Sequence, residues 1–214
     1  IRNSSNSCTV NAKVSNQSQI VGGIVGSIEA GNATGKQNEL ITCTNSGKIE
    51  ITHGSTEGKY VRAAGIAGSI GLTSSNTVAS NVKISDCTNL SSGVVLLESE
   101  NAATCHLGGI VGSSHAGVEY SSNENCADIT GNSKGNLYIG GVWGYDNQLV
   151  GEHTAKDVSG NVNTGNLSAF TSGEIYVGGL FGIVRKVAAA NLKSDNTNYG
   201  NVTCAGGALA GRSD

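Results

Sequence analysis

The chain of 214 residues contains no proline and no methionine, and only 14% of its residues are charged. With no proline, and with glycine spread irregularly instead of at every third place, a collagen-like triple helix is excluded. The formal net charge of −3 leaves no basic block to meet phosphates, so neither a nucleic acid nor an anionic membrane surface is an expected partner. Long apolar runs are missing too, so no membrane span and no secretory leader can be read. A start at Ile1 reads as a fragment or processed form of a longer exported protein. Disorder is not expected either, because short Val/Ile/Leu clusters recur throughout and the net charge is only −3.

Glycine is abundant, at 32 residues, and much of it falls in one recurring cage. The copies are Gly22-Gly23-Ile24-Val25-Gly26, Ala64-Gly65-Ile66-Ala67-Gly68 and Gly108-Gly109-Ile110-Val111-Gly112. Gly140-Gly141-Val142-Trp143-Gly144, Gly178-Gly179-Leu180-Phe181-Gly182 and Gly207-Ala208-Leu209-Ala210-Gly211 follow, with starts separated by 42, 44, 32, 38 and 29 residues. Such recurrence marks a repeat protein.

Three places before each cage stand Gln19, Val61, Cys105, Leu137, Ile175 and Cys204, and one place before stand Val21, Ala63, Leu107, Ile139, Val177 and Gly206. Between them lies a variable column: Ile20, Arg62, His106, Tyr138, Tyr176 and Ala205. Apolar, variable, apolar is the alternation of a half-buried strand. A second unit opens at Cys8, Cys43, Cys87 and Cys126, with Asn161 and Asn196 replacing cysteine in later copies. Asn45, Asn89, Asp128, Asn163 and Asn198 stand two places on, and Gly47, Gly165 and Gly200 follow. That composition reads as a turn feeding a short strand.

Two short strands, a turn and a loop of changing length cannot bury an apolar face alone, but stacked copies can. The expected fold is all-β: one β-solenoid domain over 1–214, a parallel β-helix with right-handed coiling favoured, built from about six degenerate repeats of 29–44 residues. Rungs about 4.8 Å apart would give a rod of roughly 25–30 Å. The cage glycines would let the chain bend at a corner and let rungs approach closely, while Ile24, Ile66, Ile110, Val142, Leu180 and Leu209 fill the interior.

The segments YIGGVWG and YVGGLFG, with the intervening CTNSGKI unit, resemble GLUG-motif repeats across nearly the whole chain, from Cys8 to Gly211. Alanine replaces one glycine in the second and sixth copies. The resemblance implies an array on a bacterial surface protein of adhesin-like kind, and no reaction.

Cysteine alternates with Val, Leu and Ile at the slot of Cys105 and Cys204, which is the behaviour of a small hydrophobe. Free, buried, stacked thiols are therefore expected instead of disulfides, whose geometry suits rung spacing poorly. No metal site is expected. The four histidines lack metalloprotease spacing, and Lys193–Asn198 lacks the glycine and bidentate Glu of an EF-hand. Nor are catalytic residues expected: the carboxylates are scattered over loops instead of facing each other in one slot, and no nucleophile elbow occurs. No cofactor is implied.

Binding candidates come from the variable column, where Arg62, His106, Tyr138 and Tyr176 combine aromatic faces with hydrogen-bond donors, against the plain alternative of ordinary strand surface. Trp143 and Phe181, large residues where other cages carry Val25, Ala67 and Val111, read as a partner patch or as core beneath loops. Sequons at Asn3, Asn16, Asn32, Asn89, Asn166 and Asn201 are expected by composition alone. The leading expectation is a non-catalytic extracellular recognition module, secreted or attached to a cell surface, that meets glycans or surface and matrix proteins. A structural stalk or end-to-end filament subunit, self-associating along the axis, is the alternative. A β-helix carbohydrate-active enzyme ranks below both.

Overall fold

In the stretch Val95–Ser99, Val95, Leu97 and Ser99 point inward while Leu96 and Glu98 point out, and the same alternation recurs at Ile49–His53, Ile129–Ser133 and Leu167–Thr171. Those four strands lie side by side in parallel register, Ile49 against Val95 against Ile129 against Leu167. The computed structural model describes residues 1–15, 17–29, 37–54, 59–71, 82–100, 103–115, 117–146, 157–184 and 193–206. Its 26 strands form five parallel sheets, each ordered rung after rung along the chain. This is a parallel β-solenoid.

The second to fifth repeats each make one coil of five short strands, where two were expected. In the third coil they are Val82–Ser85, Thr88–Asn89, Val95–Ser99, Thr104–Gly108 and Val111–Ser114, here called faces one to five. The first coil enters through a bridge from Arg2 to Ile41, and the sixth is described through Thr197–Asn198 and Val202–Ala205, on faces two and three. The sixth glycine cage, with Gly207, Leu209 and Gly211, lies outside the described residues.

Between faces one and two the chain turns through a left-handed residue in five successive coils: Asn3, Thr42, Asp86, Ser122 and Gly160, with φ of 51–63°. Each stands three places before an asparagine on face two. Those asparagines do not form the turn. Asn45, Asn89, Asn125 and Asn163 are fully buried and stack as a ladder inside the coil. The ladder begins at Asn6 and ends at Asn198: each Nδ2 donates to the Oδ1 of the next rung at 2.7–2.9 Å. The second Nδ2 hydrogen goes to a backbone carbonyl in the same coil, as from Asn125 to Ala127 at 2.9 Å. Both donors are thereby satisfied, which is what permits an amide column in a dry interior. In the fourth coil the ladder residue is Asn125, not Asp128. Asp128 instead accepts from the backbone and amide nitrogens of Asn166 on the exposed side.

A second inner ladder runs Asn123–Asn161–Asn196, bonded at 2.8–2.9 Å. Each amide also donates to a carbonyl one coil back, Ile84, Tyr120 and Val158 in turn. Cys43 and Cys87 occupy this column in earlier coils, and the Cys87 thiol reaches Leu40 O as its asparagine counterparts reach theirs, at 3.6 Å. Their slot is thus a donor position and not merely a hydrophobic one. Cys8 and Cys126 do not share it, because Asn6 aligns with Asn45 and Asn89 with Asn125. All six cysteines are free, as expected, but only Cys43, Cys87 and Cys105 are buried: Cys8 and Cys204 are exposed and Cys126 is half-buried, because they stand outside the inward columns.

Opposite the first ladder stands the second residue of each described cage. A Cβ on Gly23, Gly65, Gly109, Gly141 or Gly179 would overlap the side chain of Asn45, Asn89, Asn125, Asn163 or Asn198 on the following rung. The glycine column therefore lies flat on the amide column, and the two walls of the coil meet in mid-section. This contact splits the interior into two apolar lobes. One holds Ile49, Val61, Val95, Leu97, Leu107, Ile129, Leu137 and Leu167 between faces three and four. The other holds Leu40, Ile66, Ile84, Ile110, Tyr120, Val142 and Trp143 between faces five and one, with Ile24 and Leu180 packed against it. The first cage column (Gly22, Gly108, Gly140 and Gly178) tolerates Ala64, whereas the second carries no side chain in any described copy.

Candidate functional site: a cleft between faces four and five

Drawing the glycine corner inward to the amide ladder folds faces four and five toward each other on their outer sides. The third cage column sits at the bottom of the resulting cleft. A Cβ on Gly68 would strike the backbone of Val21, one on Gly112 that of Ala63, one on Gly144 that of Leu107, and one on Gly182 that of Ile139. Gly26 has more room, with Ile20 O at 3.3 Å. Side chains appear only above that floor.

Face four contributes Ile20, Arg62, His106, Tyr138 and Tyr176, which align rung by rung as expected. Ala205 does not join them: Val202–Ala205 belongs to face three, pairing Cys204 with Ala169 and Ala205 with Phe170, so Cys204 also leaves the column of Cys105. Face five contributes Ser27, Ser69, Ser113, Tyr145 and Ile183. Between the two, Lys59, Tyr60, Arg62, Thr104, His106, His115, Tyr138 and Tyr145 line a concavity of about 310 Å³.

The expected outward column is therefore not ordinary strand surface. Arg62 and His106 are each 5% exposed and Tyr138 is 8% exposed, because face five covers them. The His106 ring stacks flat on Tyr145 at 4.1 Å, and Tyr138 stands edge-on to both. Tyr138 stacks in turn on Tyr176 at 4.7 Å, one rung on, and the Tyr176 hydroxyl donates to Glu174 at 3.3 Å. Arg62 lies over the Tyr60 ring at 4.2 Å and donates from Nη1 to Ser69 Oγ at 3.3 Å. Its Nε and both ring nitrogens of His106 have no partner among the described residues.

Among the described residues the lining carries Lys59 and Arg62 and no carboxylate. Burial lowers Arg62 from its ordinary 12.5, with Tyr60 and Tyr145 opposing the shift; a guanidinium remains charged in proteins. Burial, aided by Arg62 and His115, holds His106 well below its usual value, and burial with Arg62 brings His115 down to about 4. Both imidazoles are thus neutral at pH 7, each with one donor and one acceptor nitrogen. The cleft presents a cation, aromatic faces and neutral hydrogen-bonding groups.

No protein-family model, curated protein or solved structure matches this chain.

Of the other sequence candidates, Trp143 is fully buried in the lobe between faces five and one. It stacks on Phe181 at 3.8 Å and leans on Tyr120 at 4.3 Å. Phe181 is half-buried on the same lobe, so the pair is core and Trp143 is closed to a partner. The inner side of the fifth strand is where bulk is needed once a lobe must be filled. In Lys193–Asn198, Asn196 and Asn198 place their Oδ1 atoms on the two ladders. Asn89 is a buried ladder residue and its sequon is inaccessible. Tyr145, Tyr60, Lys59, Thr104 and His115 were not singled out in the sequence. Tyr145 could have been, since it stands one place after its cage, aligned with Ser113.

Proposed function

We propose that this chain is a non-catalytic recognition module of an exported, surface-attached protein, and that it meets its partner in the cleft between faces four and five. One observation carries the reading: a concave site of about 310 Å³ that combines Arg62 and Lys59 with Tyr60, Tyr138, Tyr145 and two histidines, with no carboxylate among its described lining residues. Ligand sites are typically concave, largely aromatic, and set with a few polar groups that fix orientation. The GLUG-like cages favour a bacterial surface setting of adhesin type, and glycans or surface and matrix proteins as the partners.

The test is binding of the purified chain to a mixed panel of glycans, mucins and matrix proteins, beside Tyr60→Ala. Saturable binding weakened by Tyr60→Ala supports the module. Silence across the panel refutes it.

A stalk or filament subunit is the second reading. It is favoured by the unbroken first ladder, which runs with one polarity from Asn6 to Asn198 and could continue across a stacked copy. Sedimentation over a range of protein concentrations distinguishes it, since end-to-end stacking raises the mean mass with concentration.

A further inference from the structure

We infer that the cleft takes a carboxylated sugar, such as a hexuronate or a sialic acid residue, with the carboxylate on Arg62 and the ring against the tyrosines at the mouth. The inference rests on the recognition reading above and narrows it to a ligand class.

Charge decides the first half. Arg62 is 5% exposed, yet no carboxylate among the described residues pairs with it, and Nε has no partner there. A buried guanidinium that meets, among the described residues, a serine hydroxyl and one ring face is an incomplete arrangement, because buried charges are ordinarily paired and hydrogen-bonded. Its planar fork suits a carboxylate in two-point contact. Lys59 at the same cleft adds a second positive charge, and no carboxylate stands among the described lining residues to hold a cation.

Shape and the remaining chemistry decide the second half. A volume of about 310 Å³ is at the small end for ligand sites, fit for one or two rings and not for a folded partner. Tyr60, Tyr138 and Tyr145 give apolar faces with polar tips, which match the apolar face and hydroxyl rim of a pyranose. Thr104 and the neutral His106 and His115 can each give or accept a hydrogen bond from ring hydroxyls. An acidic peptide is disfavoured, because peptides commonly join a sheet edge, and the third-coil strands of faces four and five are paired on both sides.

The test is calorimetric titration of the whole chain with D-glucuronate, its methyl ester, N-acetylneuraminate, D-glucose and acetate. Glucuronate or N-acetylneuraminate is expected to bind about tenfold or more tightly than the ester and glucose, the scale of one hydrogen-bonded charge contact. Acetate, lacking the ring, is expected to bind more weakly still. Arg62→Ile, which copies Ile20 of the neighbouring rung, is expected to abolish the preference for acid over ester. If that variant fails to fold, Lys59→Ser at the mouth is expected to narrow the preference by several-fold. Equal binding of acid and ester, or an acid preference untouched by both variants, overturns this inference and leaves the recognition module standing. No binding by any of these sugars overturns it as well, and silence of the larger glycan and protein panel in addition would remove the module itself.

Discussion

Asn125→Leu replaces a ladder amide by a side chain of nearly the same shape, so it isolates the polar contribution of the ladder. Asn125 is fully buried. It accepts from Asn89 Nδ2 at 2.9 Å and donates to Asn163 Oδ1 at 2.7 Å and to Ala127 O at 2.9 Å. Leucine leaves one amide hydrogen and two acceptors without partners in a dry interior, and also removes the longer 3.4 Å bond that Ala127 N donates to the Asn125 Oδ1. An unpaired buried group costs about 1–3 kcal/mol, with acceptors at the low end, so the loss should reach about 3–6 kcal/mol. Asn6, at the end of the ladder and half exposed, makes one ladder bond, donates to Cys8 O and accepts from Cys8 N. Asn6→Leu should cost only about 1 kcal/mol, because water can replace what is lost. Urea denaturation followed by far-ultraviolet circular dichroism measures both. If Asn125→Leu lies within about 1 kcal/mol of the parent, the ladder is not what holds the two walls together.

Gly141→Ala places a methyl on Asn163 and on Gly179 O, and should destabilise by about 3 kcal/mol or more, at the upper end of overpacking costs, in the same urea assay. Thr42 holds a left-handed φ of 55° where the fifth coil has Gly160. Thr42→Gly removes strain of about 1–2 kcal/mol against a smaller gain in unfolded-chain freedom, and should raise the midpoint slightly. Under native conditions a thiol reagent should modify exposed Cys8 and Cys204 first. Cys87 and Cys105, buried and with thiols pushed up to about 12 and about 11, should react only on unfolding. Stability should also fall on acidification. The unfolded His115 takes up a proton near pH 6.5 while the folded one resists until about 4, so stability is full above pH 6.5 and is lost between those values. His106, lowered in the same direction, adds to the loss, and His115→Gln should flatten the slope of the urea midpoint between pH 7 and 5.

The glycine cages and the columns before them were legible because each lies in a segment of fixed length. The register of Val61, Cys105, Leu137 and Ile175, and of Arg62, His106, Tyr138 and Tyr176, follows directly from counting back from the cage. Counting back failed in the sixth copy for a physical reason. Only nine residues separate Asn198 from Gly207, against 15–19 between ladder asparagine and cage elsewhere, so the residues before that cage lie on face three. The two-residue strands of face two carry no periodicity, which is why five strands per coil read as two.

The amide ladder was hidden by its composition. Asn beside Ser, Thr and Gly has the local character of a turn, and only stacking reveals that its side chain points inward and finds its partner 35–44 residues away. The cleft was half legible. Its face-four residues stood out as a column, but their burial depends on the glycine corner bringing Tyr145 and Ser69 across from face five. No spacing rule shows that approach.

The decisive measurement compares binding by two surfaces of one molecule. Lys59→Ser/Tyr60→Ala alters the mouth of the cleft, and Glu98→Ala/Asn132→Ala alters the exposed side of face three, where those two side chains are joined by a 2.9 Å hydrogen bond. Isotherms for the ligand found in the panel should show the first pair weakened by about tenfold or more and the second unchanged. Equal binding by the cleft variant and the parent, or a loss confined to the face-three variant, would contradict the assignment of the cleft as the recognition site.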